Sequence, residues 1–151
     1  MHIRIVDYRP PRIALILIFM ALLLHWLTPL SREYVYSNTL VGYILGVGGF
    51  AVMIWGWWLF KKFDTAICPT AQTNNLVTSG IYKLTRNPMY LGMVAMLLAI
   101  ALNMGSAPFY AAAIVYFTIL NFVFCPYEEQ KLLNSFGDDY LMYKNKVRRW
   151  I

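Results

Sequence analysis

Three short stretches of this 151-residue chain carry side chains able to do chemistry. They are Leu76-Val77-Thr78-Ser79-Gly80-Ile81-Tyr82, then Arg86-Asn87-Pro88-Met89-Tyr90-Leu91-Gly92, and finally the acid pair Glu128-Glu129. Gly80 permits a tight turn and a close approach of backbone to a ligand. Pro88 starts a helix well, and the free N–H groups of that first turn can hold an anion such as a carboxylate. Arg86 can pair with an acid, and Glu128 or Glu129 with an ammonium group. The site on offer is thus a cation, an acid pair and backbone donors. The competing reading makes the same residues salt bridges at headgroup level, with Tyr82, Tyr90, Tyr140 and Tyr143 as interface anchors. Adjacent acids on a helix point about 100° apart and rarely share one task. No nucleophile–base pair is visible. Cys68 and Cys125 have no histidine near them in sequence, so no metal site is expected.

The elements that must position these groups lie in a membrane. The chain is 60% hydrophobic and 13% charged, against about 45–50% and about 25% in ordinary soluble domains. Ile13–Leu30 and Leu40–Phe60 are each close to the ~20 residues that cross a hydrocarbon layer of about 30 Å. Between Arg86 and Glu128 lie 41 residues without a charge. As one helix they would extend roughly 60 Å, so the stretch must fold back, and Asn103–Pro108 is its natural turn. The expectation is an all-α integral membrane domain of four spans, about 13–30, 40–60, 88–103 and 108–124. The last two form a hairpin that brings Arg86 and the acid pair to one membrane face. A long loop, 61–87, and a tail, 127–151, belong to that same face.

Orientation follows from Lys and Arg. Four crossings place twelve of the thirteen on the side of the termini and leave only Arg32 on the other, so both termini are expected in the cytoplasm. The net charge of +6 then reads as attraction to anionic lipid and not to nucleic acid. A reducing compartment disfavours a disulfide between the two cysteines. No small-residue cleavage site follows the first apolar run, so no signal peptide is expected.

Two details bear on packing. Gly42 and Gly46 are four apart, a spacing that lets helices approach closely, within the chain or in a homodimer. In the tail, Glu129, Leu132, Leu133 and Phe136 share one helical face. Gly137 is expected to end that helix, with Asp138 or Asp139 capping a second one striped by Tyr140, Tyr143 and Val147. Both would be amphipathic and lie against the cytoplasmic end of the bundle.

From about Lys61 to Ile151 the order and spacing of these motifs resemble the isoprenylcysteine carboxyl methyltransferase family, in its short bacterial branch, which is related to phospholipid N-methyltransferases. The matching residues are Leu76–Tyr82, Arg86–Gly92, Glu128-Glu129, Leu132 or Leu133, Phe136-Gly137, Tyr140, Tyr143 and Val147-Arg148-Arg149-Trp150. The resemblance implies a membrane methyltransferase that uses S-adenosylmethionine without a Rossmann domain. It implies an acceptor that is small and lipophilic or amphipathic, such as an isoprenylcysteine carboxylate, a lipid amine or a thiol. Val77, Gly80, Tyr82, Asn87, Pro88, Tyr90 and Gly92 would line the cofactor pocket, and Glu128 or Glu129 would hold the amino group. Tyr140 and Tyr143 would close the lid, while Arg86 and Glu129 would serve catalysis. Two departures stand out. The family's usual Arg-His-Pro is Arg86-Asn87-Pro88 here, which removes any imidazole role. The eukaryotic members' arginine before the acid pair has no counterpart, because Asn121–Tyr127 carries no charge. The alternatives are an NADPH-dependent membrane reductase of the sterol-reductase type and a non-catalytic membrane protein.

Overall fold

The computed structural model describes residues 9–27, 35–64 and 75–151. Their regular elements are all helical, in the order α1 (Pro10–Leu27), α2 (Thr39–Lys62), a 3-10 turn (Gly80–Lys83), α3 (Pro88–Met104), α4 (Ala107–Ile119), a π turn (Leu120–Phe124) and α5 (Cys125–Lys146). Local chemistry sets most of the boundaries. The Asn38 side chain accepts a hydrogen bond from the Val41 N–H at 3.0 Å and so starts α2. Pro88 and Pro108 occupy first turns, where a missing N–H costs nothing. Gly105 ends α3 in the left-handed conformation (φ 60°) and returns its N–H to the Ala101 carbonyl. The turn therefore falls where the charge-free stretch required one. Cys68 and residues 65–74 of the long loop lie outside the described residues.

Among the described residues, three helices are long and apolar enough to cross a membrane: α1, α2 and the run from Ala107 to Lys146, whose charge-free part ends before Glu128. α3 is apolar but shorter, at 17 residues.

The tail differs from expectation. α4 does not stop near Phe124 before a separate short helix. It continues through the π turn into α5. Pro126 has no N–H to give and its ring crowds the carbonyl four residues back. A widened turn just before it, in which the Cys125 N–H reaches the Leu120 carbonyl, lets the helix pass without breaking. The expected break at Gly137 is present, with φ 50° and ψ −121° inside α5.

α3 makes its widest contact with α2 and a smaller one with α4, while α1 lies mainly on α4. The α2–α3 seam is built on Gly42, Gly49 and Gly56, spaced by seven and all buried. A Cβ on Gly49 would sit 2.8 Å from the Gly92 carbonyl oxygen and 2.8 Å from the Ala95 Cβ. One on Gly92 would fall onto the Gly49 carbonyl oxygen. The expected Gly42/Gly46 face is the one that meets α3: Gly42 lies against Asn103 and Ala99, and a Cβ on Gly46 would make an ordinary contact with the Ala99 Cβ, at 3.4 Å. This face is covered from within the chain, by α3. A second core forms where α1, α3, α4 and the π turn meet, around Tyr116, Leu120, Phe124 and Tyr90. The seam and this core bring the start of α3 beside the start of α5.

Candidate active site

The 3-10 turn opens at Gly80 with φ 60°, a value glycine adopts without strain. It buries Ile81 and Tyr82 together with Val77 against Leu59 of α2. The Tyr82 ring stacks on Phe60 with centroids 5.1 Å apart and planes within 10°. Its carbonyl accepts the Tyr143 hydroxyl at 2.7 Å. Beyond it, the segment leading into α3 is stitched to the C-terminal tail. The Arg86 N–H donates to the Arg148 carbonyl at 3.0 Å. The Thr85 hydroxyl (3.0 Å) and the Asn87 amide (3.1 Å) both donate to the Arg149 carbonyl.

At the centre stands Glu129. Its Oε1 accepts from Arg149 Nε at 2.7 Å and lies 3.4 Å from an Arg86 nitrogen; its Oε2 lies 3.2 Å from Lys144 Nζ. Burial opposes a charge there. The Arg149 hydrogen bond, the Arg86 charge and the Lys144 contact outweigh it and hold the carboxyl below its ordinary value. Glu128 points elsewhere and meets one hydroxyl, that of Tyr90, which donates to its Oε1. Burial pushes the Glu128 carboxyl up to about 7, against that hydrogen bond and the charge of Lys131. The adjacent acids therefore face different surroundings, as their angular separation on the helix demands. The Arg86 side chain also donates to the Tyr140 hydroxyl at 3.1 Å.

Two cavities meet at this cluster. The larger, of about 370 Å³, is lined by Arg86, Asn87, Glu128 and Lys131 together with Met53, Ile54 and Trp57 of α2 and Pro10 and Pro11 of α1. The smaller, of about 60 Å³, lies among Val77, Glu129, Tyr140 and Tyr143. Phe60, Tyr82, Arg86, Asn87, Glu128 and Leu132 line both. Among the described residues, the Tyr82 hydroxyl and Arg86 Nε are buried side-chain atoms without a hydrogen-bond partner. Donors at the shared wall are thus left for a ligand.

Most of the residues singled out from sequence converge here. Tyr82, Arg86, Asn87, Pro88, Tyr90 and Glu128 line the larger cavity, and Val77, Glu129, Tyr140 and Tyr143 join at the smaller. Two do not. Gly80 faces Leu59 and Trp55, and Gly92 is consumed by the α2–α3 seam. A glycine's value lies in what can approach it, and in both places that is another helix. Tyr140 and Tyr143 are buried and hydrogen-bonded into the cluster, as part of its wall.

Sequence reasoning missed Lys144 and Asn121, and named Arg149 only among the residues that match the family, without a role in the site. Asn121 lies in the π turn, where its Oδ1 accepts from Trp150 Nε1 at 2.9 Å and from Arg149 at 3.3 Å. It is the one amide side chain between Ala107 and Glu129, which is the signal that could have found it. The charge that Asn121–Tyr127 lacks is delivered by Arg149, from the other end of the chain.

The family model for phospholipid methyltransferase matches residues 37–139, more than half of the chain. The chain belongs to the phospholipid methyltransferase family. This agrees with the resemblance read from the motifs. The matched region runs from the start of α2 through the acid pair and includes the Arg86–Tyr90 entry to α3, but stops short of Lys144 and Arg149. The chain is also similar to an uncharacterized protein of Haemophilus influenzae, 38% identical over 63 residues, which are 42% of this chain and 100% of that protein. No solved structure matches. Membership in a methyltransferase family, together with helices able to cross a bilayer, makes the cavities the place to look for its chemistry.

Proposed function

We propose that this protein is a membrane-embedded, S-adenosylmethionine-dependent methyltransferase acting on an apolar or amphipathic acceptor reached from the bilayer. The observation that carries this reading is the larger cavity, whose lining combines Arg86, Asn87 and Glu128 with methionine, tryptophan and proline side chains. The charged part of that lining fits an amino-acid moiety. Arg86, with its Nε unpartnered within the protein, would take the carboxylate, and Glu128 the ammonium. Asn87 and the Tyr82 hydroxyl would supply further polar contacts. The cofactor brings a methyl group already activated on a sulfonium, so the protein's task is to align donor and acceptor and keep water out. Tyr82 stacked on Phe60, and Leu132, serve that exclusion.

A carboxylate or thiolate acceptor would need no general base. An amine would need one, and Glu128, with its carboxyl near neutrality, suits that task better than Glu129, whose lone pairs face three cations. In this reading α3 makes a fourth crossing, both termini face the cytoplasm, and the membrane is a bacterial inner membrane. The lysine and arginine distribution supports that orientation.

The test is calorimetric titration of the detergent-purified protein with S-adenosylhomocysteine, with NADPH in parallel. Saturable binding of the first alone is expected. Binding of NADPH instead would replace this reading with a reductase, and a folded sample that bound neither would leave a non-catalytic membrane protein.

A further inference from the structure

The tail after α5 has no local reason to lie where it does. Residues 147–150 are not helical, yet their carbonyls take hydrogen bonds from Thr85, Arg86 and Asn87, and two of their side chains converge on Asn121. From that anchorage Arg149 reaches Glu129, which in turn lies 3.4 Å from the Arg86 guanidinium. The far side of that guanidinium is taken by the Tyr140 hydroxyl. The Nε of Arg86 is left buried and unpartnered at the wall the two cavities share.

We propose that Arg149 is a positioning residue: strapped to the π turn at Asn121, it fixes Glu129, and through Glu129 it orients Arg86 toward the carboxylate of a bound ligand. Arg149 itself lines neither cavity. This separates it from Glu128, which faces the larger one. The groups around Glu129 are Arg86 from the segment before α3, Lys144 and Tyr140 from the far half of α5, and Arg149 from the tail. Of these Arg149 makes the shortest contact, at 2.7 Å.

The ligand-binding arm of the test rests on the methyltransferase reading; the other arm does not. Glu33, Glu128 and Glu129 are all the glutamates of the chain, so protein labelled with 13C at glutamate carboxyls carries three such signals, assigned with Glu128→Gln and Glu129→Gln. Wild type should show a Glu129 carboxyl that titrates below Glu128. In Arg149→Ala the Glu129 midpoint should move upward, and Arg149→Lys should restore part of the difference. An unmoved midpoint in Arg149→Ala would overturn the proposal. The second arm compares S-adenosylhomocysteine with 5′-methylthioadenosine, which lacks the amino-acid moiety. Arg149→Ala should weaken the first by about tenfold, the scale of one misplaced charged hydrogen bond, and leave the second unchanged. Equal weakening of both would mean a merely structural role and would also overturn the proposal. If Arg149→Ala does not fold, Arg149→Lys and Asn121→Ala carry both arms, with the same directions and smaller shifts. If wild type binds neither ligand, the methyltransferase reading fails, and the titration alone decides the hold of Arg149 on Glu129.

Discussion

The α2–α3 seam and the Glu129 cluster lie within a few turns of each other and are held together by opposite means. The seam has no charge. Gly49 and Gly92 let two backbones touch, and the fit is what holds them. The cluster is built on charge. One carboxylate gathers Arg86, Lys144 and Arg149, with Lys144 and Arg149 still partly open to solvent. Shape holds the helices where only apolar groups are available, and charge orients side chains where a polar ligand must later bind. Breaking the first should cost the fold, and breaking the second should cost binding and pH response.

The largest effect is expected from Gly49→Leu. Its side chain would meet the Gly92 carbonyl and Ala95, and overpacking of this kind costs about 1–3 kcal/mol or more. Size-exclusion profiles and thermal unfolding should show most of the folded protein lost, with no dependence on salt. Next is Glu128→Gln, which keeps an acceptor for Tyr90 but removes the charge. S-adenosylhomocysteine should bind at least tenfold more weakly, with no loss in unfolding temperature, since a charge that burial opposes has been removed. Wild-type affinity in this variant would return the ammonium to Glu129.

Glu129→Gln should lower stability by about 1–2 kcal/mol, a figure discounted for the exposure of Lys144 and Arg149. The deficit should be larger at low salt, because three cations are left facing one another. Glu128 and Glu129 also give pH effects of opposite sign. The folded-state carboxyl of Glu128 is raised to about 7. Its burial therefore costs stability above that pH, and the cost lifts as pH falls toward the ordinary carboxylate range. Glu129 is depressed, so its contribution is fully present above the ordinary range and is lost only as pH falls through its lower folded value. Unfolding temperature should thus rise a little as pH is lowered from above 7, then fall in acid. Cofactor-analogue affinity should weaken as pH drops through about 7, and Glu128→Gln should abolish that dependence. The smallest effect is Gly48→Ala, where a Cβ meets nothing within 4 Å. It should be neutral or stabilise by up to about 1 kcal/mol, in contrast to Gly49 one residue away.

That contrast also marks what sequence can and cannot reveal. The spacing of Gly42 and Gly46 announced a close helix contact, and both face α3, but it did not name the tightest backbone contacts. The register used runs Gly42, Gly49, Gly56, and it is chosen by where Gly92 and Ala95 fall on α3. The acid pair was legible as a pair. Its division of labour was not, because that depends on which partners arrive from the segment before α3 and from the tail. The resemblance placed Gly80 and Gly92 in the pocket wall, but helices took up the space beside them.

Local physics, then, was enough for the membrane-length apolar runs, the turn within Asn103–Pro108 and the break at Gly137. Each follows from a few adjacent residues: hydrophobic length, a missing N–H, a positive φ. The unbroken passage from α4 into α5, the delivery of Arg149 to Glu129, the exposure of Glu128 to the cavity and the joining of two cavities at Tyr82 required the tertiary structure. Those depend on contacts between residues many tens of positions apart, and only the packing of α2 against α3 and of the tail against the π turn selects them.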